Sequence, residues 1–259
     1  MKIDGIIGRP IRLNSRILHP QRGEYAEVMF LGDVHYGSPQ CDIERFKANI
    51  GYCLANKIYV FLMGDLIECA TRHSVGAGVY EQSITPDKQH ENMVLMLQPL
   101  ADEKLILGSH QGNHSERVLK EVGFNVSKAL CRELKIPYLG DACWSQFHVG
   151  KEVYNIYSLH GRTGSRFDGT ALLALERIST SFFCDLCAMG HTHKCINSIV
   201  VIQRVVHGQV IEHKKHLLIT GAYLKYDKGY GQTLGLPISK LGSPKVKFFA
   251  SRHDLSITW

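Results

Sequence analysis

Five short apolar runs in this chain end alike. YAEVMFLG closes on Gly32-Asp33-Val34-His35, and KIYVFLMG closes on Gly64-Asp65. KLILGS runs on to Gly112-Asn113-His114, VYNIYSLH ends at His160-Gly161, and CDLCAMG at Gly190-His191-Thr192-His193. The length, β-branching and closing glycine or histidine of each run predict a buried strand. Glycine at such a point lets the chain turn sharply and lets backbones approach. Whatever fold the chain adopts must therefore accommodate five strands whose ends carry polar, metal-competent side chains.

In an extended segment residues i and i+2 point the same way, so Asp33 and His35 are expected to face one site together, as are His191 and His193. If the strands are sheet neighbours, their C-terminal ends converge on one crevice with two aspartates, an asparagine and up to five histidines. Imidazoles and carboxylates packed so densely are costly to desolvate. Divalent cations make the arrangement sensible. Every candidate ligand is an O or N donor, which favours Mn²⁺, Fe or Zn²⁺ and disfavours a sulfur-rich structural site.

Between the early strands lie helical patterns. One covers residues 42–56, and a second is opened by Thr85 and Pro86 and runs to about Lys104. A third is capped by Ser115, with Val118, Val122, Val126 and Leu130 on one face. A fourth covers roughly 170–180. After His193 only strands are expected, in INSIVVIQRVV, QVIEHKKHLLITGAYLKY and PKVKFFASR. Alternating βα units followed by consecutive strands predict an α/β core with a second, more antiparallel sheet. Residues 66–84 and 161–169 are expected as loops at strand ends, where open α/β folds place ligands. The 259 residues contain no repeat or linker and are expected to form a single domain, 1–259.

Composition narrows the class. Apolar residues at 44% and charged residues at 21% exclude a disordered, collagenous or coiled-coil chain. No stretch is long and apolar enough for a membrane helix, and Asp4, Arg9 and Arg12 break any signal-peptide core. The eight cysteines show no disulfide framework and are expected as reduced thiols in a cytoplasm. Cys184 and Cys187 sit in an apolar run and are expected as buried thiols, not as a zinc site. The net charge of +6 suits a polyanionic partner without demanding one.

The ordered set D-x-H, G-D, G-N-H, H and G-H-x-H resembles the calcineurin-like metallophosphoesterases, over roughly Val28 to His193. Segments such as GAGVYEQ, GRTGSRFDGT and PISKLGSPKV more loosely resemble uncharacterised phosphoesterases of tailed phages. The resemblance implies a four-layer α/β/β/α sandwich with two mixed sheets and a dinuclear site at one edge. It implies that Asp33, His35 and His193 hold one metal, that Asn113, His160 and His191 hold the other, and that Asp65 bridges both. The metals would be two divalent ions, Mn²⁺ foremost, with Zn²⁺ or Fe as alternatives. His114, next to a ligand, would be catalytic, sitting over the substrate phosphate to stabilise charge or protonate the leaving oxygen. The chain departs from the family at Ser115, where an acid usually follows G-N-H. It departs from the Mre11/SbcD-type nucleases at Glu68, where those carry histidine.

The activity implied is metal-dependent hydrolysis of phosphodiesters, with nucleic acid as the expected substrate and partner. A small nucleotide or cyclic nucleotide is the alternative, and a non-catalytic module on the same fold ranks last. Arg72, Arg117, Arg162 and Arg166 are the candidate substrate contacts, since guanidinium forks fit phosphate oxygens. Each could equally be a surface charge or a carboxylate's partner.

Overall fold

The computed structural model describes residues 13–21, 23–72, 74, 79–162, 167–227, 232, 235 and 238–259. In chain order its strands and helices are β1 (Leu13–Leu18), β2 (Tyr25–Leu31), α1 (Ile43–Asn56), β3 (Tyr59–Leu62), α2 (Pro86–Asp102), β4 (Ile106–His110), α3 (Asn113–Val122), α4 (Val126–Glu133) and β5 (Tyr138–Gly140). They continue with β6 (Ala142–Val149), β7 (Glu152–Leu159), α5 (Asp168–Ser179), β8 (Leu186–Met189), β9 (Cys195–Val206), β10 (Gln209–Thr220), β11 (Lys245–Phe249) and β12 (Leu255–Thr258). One sheet has the order β12-β11-β2-β3-β4-β5 and the other β1-β6-β7-β8-β10-β9. Both mix parallel and antiparallel pairs.

Strand periodicity builds the layers. Along β2, β3 and β4 alternate side chains point to opposite faces, and both faces are apolar. Met29, Leu31, Val60 and Leu62 pack against Phe46 and Ile50 of α1 and Met93 and Leu97 of α2. Their neighbours Val28, Phe30, Phe61 and Met63 instead meet Phe147, Tyr154, Ile156 and Leu218 of the second sheet. That sheet repeats the device: Leu217, Ile219 and Cys187 turn outward to Ala171 and Leu175 of α5. The result is four layers, helix on sheet on sheet on helix. A fully buried Leu, Ile or Phe contributes about 1.5–3 kcal/mol, so three apolar layers supply most of the stabilisation. Lys215, only 2% exposed, donates to the carbonyl of Ser179 at 2.7 Å and to that of Phe182, satisfying carbonyls where α5 ends.

The structure revises several sequence expectations. The five runs do not form one sheet: β2, β3 and β4 lie in one, and β7 and β8 in the other. Their ends still converge, because both sheets open onto the same edge of the sandwich. The late strands are likewise divided, β9 and β10 joining the second sheet and β11 and β12 the first. The third helix is two. Gly123, at φ 73°, ends α3, and Asn125 caps α4 by accepting from the Lys128 amide. Val122 is 71% exposed, so the valines do not share a face. Ser115 is no cap; the helix starts at Asn113, and Ser115 is buried in its first turn.

All eight cysteines are free thiols. Cys184 and Cys187 are buried in the α5-facing cluster, as expected. Among the described residues no helix is long and apolar enough to cross a membrane.

Candidate metal centre

Asp33, His35, Asp65, His191 and His193 all have φ between 45° and 69°. They do not lie on strands, so the alternation argument is not what brings them together. Each sits in a left-handed turn just past a strand end, a conformation that non-glycine residues adopt at some energetic cost and that clusters at functional sites. Main-chain bonds hold these turns in register. Gly64 and Asp65 carbonyls accept from the Asp33, Val34 and His35 amides at 2.9–3.0 Å, so the parallel pairing of β2 and β3 continues past both strands.

The side chains meet in three overlapping groups, Asp33–His35–His193, Asp65–His160–His191 and, between them, His35–Asp65–His114. In the first, Asp33 Oδ1 lies 3.4 Å from His193 Nε2 and 3.9 Å from His35 Nε2, and the two imidazole nitrogens are 3.1 Å apart. In the second, Asp65 Oδ2 lies 3.0 Å from His160 Nε2. Asn113 Oδ1 faces His160 Nε2 at 2.9 Å and His191 Nδ1 at 2.8 Å. The seven predicted ligands are thus brought together.

Backbone contacts orient them. Asp33 Oδ2 accepts from the His191 amide and Asp65 Oδ1 from the His114 amide, both at 2.9 Å. The other carboxylate oxygens, Asp33 Oδ1 and Asp65 Oδ2, are buried without a hydrogen-bond partner. A buried carboxylate oxygen left bare is costly. Both orphans point at imidazole nitrogens in a site of O and N donors, the setting in which a divalent cation fits. His160 Nδ1 donates to the Met63 carbonyl at 2.8 Å, which leaves Nε2 as its donor toward a metal. Gly112 makes room for the centre: a Cβ there would lie 1.9 Å from Asp65 Oδ1.

Electrostatics agree. Burial opposes charge on Asp65, yet the surrounding imidazoles, His160 foremost, hold its carboxyl well below the usual range. Asp33 is lowered in the same way, burial being outweighed by His193 and His160. His160 is pushed up to about 9, since Asp65 beside it outweighs its burial. His191, half-buried and close to His160, falls to about 4, partial desolvation being the larger cause. The two carboxylates hold positive charge beside them; a divalent cation would supply that charge and release protons on binding.

Glu68 is the functional residue that sequence reasoning noted but did not place. Its Oε2 is 3.0 Å from His35 Nδ1, and its Oε1 is 3.3 Å from His114 Nδ1. His114 Nδ1 also donates to the Glu68 main-chain carbonyl at 2.8 Å. Burial would raise this carboxyl, but the two imidazole hydrogen bonds lower it. The acid missing after G-N-H is therefore supplied from three residues past Asp65, and that spacing was its only sequence signal. His114 Nε2 lies 3.9 Å from Asp65 Oδ2. Burial opposes protonation of His114, but Asp65 and Glu68 raise its pKa.

The arginines divide. Arg117, one helical turn beyond His114, is half-buried with its Nε enclosed and without an acceptor. Arg162 is exposed and ion-paired with Glu116. Arg72 is exposed on its loop, and Arg166 lies outside the described residues. Arg162 and Glu116 line a cleft of about 240 Å³ with Gln111, Asp141 and the candidate ligands Asn113 and His160.

No family model matches the sequence, and no curated protein matches it. Solved structures do. A predicted phosphoesterase of Streptococcus pneumoniae is 13% identical, with 90% of this chain and 88% of that one covered and a TM-score of 0.41. A metallophosphoesterase of Sphaerobacter thermophilus is 12% identical, covering 90% and 86%, with a TM-score of 0.42. Vps29 of Entamoeba histolytica, complexed with zinc, is 14% identical, covering 90% and 97%, with a TM-score of 0.35. These likenesses concern the course of the chain; the chemistry rests on the side chains described above.

Proposed function

We propose that this chain is a metal-dependent phosphoesterase acting on phosphodiesters, with nucleic acid as its substrate. The observation that carries the reading is the pair of buried carboxylates, each with a bare oxygen aimed at imidazole nitrogens. Asp33, His35 and His193 would hold one divalent ion and Asn113, His160 and His191 the other, with Asp65 between them; Mn²⁺ suits the donor set, as do Zn²⁺ and Fe. Such ions supply an activated water and charge neutralisation on the phosphoryl oxygens.

The chain's own groups do the rest. Glu68 and its carbonyl take the Nδ1 side of His114, so Nε2 is the atom free to hold a proton for the leaving oxygen. Asp65 and Glu68 beside the ring favour its protonated form against the effect of burial. Arg117, one helical turn beyond His114 and half-buried, would meet a phosphate oxygen through its terminal guanidinium nitrogens, its Nε being enclosed. Arg72, Arg162 and Arg166 would extend the contact along a polyanion.

A second reading, a small nucleotide or cyclic nucleotide, draws on the cleft. Arg162 there is already neutralised by Glu116, and Asp141 adds a further carboxylate. Such a wall suits a neutral, hydroxyl-bearing group better than a second phosphate.

Protein purified without chelator and reconstituted with Mn²⁺ is expected to approach two metals per chain. Asp65→Asn is expected to lower occupancy at both positions. A reproducible single metal would sink the dinuclear reading. Assays on single-stranded DNA, duplex DNA, cyclic nucleotides and bis-p-nitrophenyl phosphate separate the two substrate readings, and no hydrolysis of any of them with metal bound would refute both.

A further inference from the structure

β9 and β10 are each twelve residues long, whereas β8, on which β10 pairs, has four. Residues 209–215 of β10 pair only with β9, so this hairpin runs on beyond the rest of its sheet. β9 is the last strand of the sheet, and among the described residues no strand pairs with its outer edge. Edge strands are usually blunted by proline, lysine, a bulge or short length. β9 has none of these. Its sequence is CINSIVVIQRVV, and its register with β10 is unbroken through twelve pairs.

The side chains sharpen the contrast. Alternation sets Ile199, Val201, Gln203 and Val205 on one face, where the three aliphatics are 53%, 51% and 72% exposed. Val210, opposite Val205, is 67% exposed. The charges on this face sit inward, on β10, with Glu212 opposite Gln203 and Lys214 opposite Val201. The only charged side chain of β9, Arg204, is on the other face, stacked over Phe183 at 4.5 Å. An apolar rim with charges behind it is the reverse of an edge that faces only water.

We propose that β9 is a dimer interface: a second copy of this chain adds its own β9 antiparallel across a two-fold axis, joining two six-stranded sheets edge to edge. The strand is complementary to its own reversed sequence. With the axis at Val200, Val201 or Ile202, Arg204 falls opposite Ile196, Ser198 or Val200, so no like charges meet. The axis at Val201 gives the best match: Val200 stands opposite Ile202, Ile196 opposite Val206 and Val201 opposite its own copy, aliphatic pairs of the kind that stabilise antiparallel ladders. Alternate residues of β9 turn their N–H and C=O outward, about six per chain, and the pairing satisfies them. An interface of this kind uses the same patch on both copies, as two-fold association requires.

The test is the mass of the full chain in solution, by light scattering or sedimentation over a wide concentration range. Twice 29.1 kDa is expected for the wild type. Val201→Lys with Val205→Lys, both at exposed side chains, is expected to give a folded monomer with unchanged metal content and a Tm that, unlike the wild type's, does not change with concentration. Hydrogen exchange on the wild type is the second measurement and needs no variant: alternate β9 amides should be protected, and lose protection on dilution. A wild-type monomer at every concentration overturns the proposal. So does a dimer that survives both lysines, or fast exchange along β9 that ignores concentration; an edge that pairs only with another protein's strand would appear as the first of these.

Discussion

Replacing Glu68 by glutamine keeps the shape of the side chain and removes its charge. The structure sets the size and location of the effect. Glu68 Oε2 receives His35 Nδ1 at 3.0 Å, and the carboxylate contacts no other residue of the proposed metal shell. Losing a carboxylate behind a ligating imidazole typically costs 10–100-fold in metal affinity, which is about 1.4–2.8 kcal/mol. A hydrogen bond to a charged group is worth about 1.5–3 kcal/mol, which agrees. The loss should fall on the Asp33–His35–His193 position and spare the one formed by Asn113, His160 and His191. Turnover should suffer less. His114 Nδ1 is closer to the Glu68 main-chain carbonyl, at 2.8 Å, than to the carboxylate, at 3.3 Å. The ring therefore stays oriented, and kcat at saturating metal should fall less than about tenfold, short of the usual scale for losing a general acid. Titration of stripped protein with Mn²⁺ against a competing chelator reads the first effect as a biphasic curve. Steady-state hydrolysis of bis-p-nitrophenyl phosphate reads the second. A curve that overlays the wild type, or equal weakening at both positions, would refute the claim that Glu68 acts through His35.

His114→Gln should retain two metals and normal Tm while kcat falls about 10²–10⁴-fold, less for substrates with good leaving groups; full activity with two metals bound would remove His114 from the reaction. Gly112→Ala drives a Cβ to within 1.9 Å of Asp65 Oδ1 and should abolish tight metal binding, as read by elemental analysis of the folded fraction. His253 bonds Asp185 at 2.8 Å and Glu152 at 3.1 Å; burial lowers its pKa, but the Asp185 contact leads a net rise. A raised folded-state pKa gives stability that is fully present below the unfolded value and is lost as pH rises through the folded one. The Tm gap between wild type and His253→Gln should thus be widest below the ordinary imidazole value of about 6.5 and shrink as pH rises through the raised folded-state value. Because the ring is half exposed, the effect should stay below about 1 kcal/mol, and a gap that grows with pH would contradict the assignment.

Reading residue types by local pattern reached the strands β2, β3, β4, β7 and β8, because each is a short apolar run closed by a turn residue, buried on both faces in all but β7, where burial alternates. It reached the helices 43–56 and 86–102 through periodicity and, in the second, the Thr85-Pro86 start. It named the two aspartates, the asparagine and the five histidines that the fold gathers, because carboxylate, amide and imidazole groups after apolar runs are chemically conspicuous wherever the chain later goes; the choice of seven of them as ligands came from the family resemblance. It stumbled where local signals tie. The Val118–Leu130 spacing fits one helix, and only the left-handed turn at Gly123 divides it.

What the sequence by itself determined, then, is the donor set, the apolar runs that carry it and the α/β class. Only the tertiary structure decided how those donors meet. Strand alternation cannot aim Asp33 and His35 at one point from a left-handed turn; the main-chain bonds to Gly64 and Asp65 do so. No local pattern assigns β7 and β8 to a different sheet from β2, since pairing depends on which faces can be buried against which. Glu68 became a partner of His35 and His114, and Arg162 a partner of Glu116, through contacts across 33, 46 and 46 positions. Such contacts follow from packing the whole chain, and a window of neighbouring residues does not contain them.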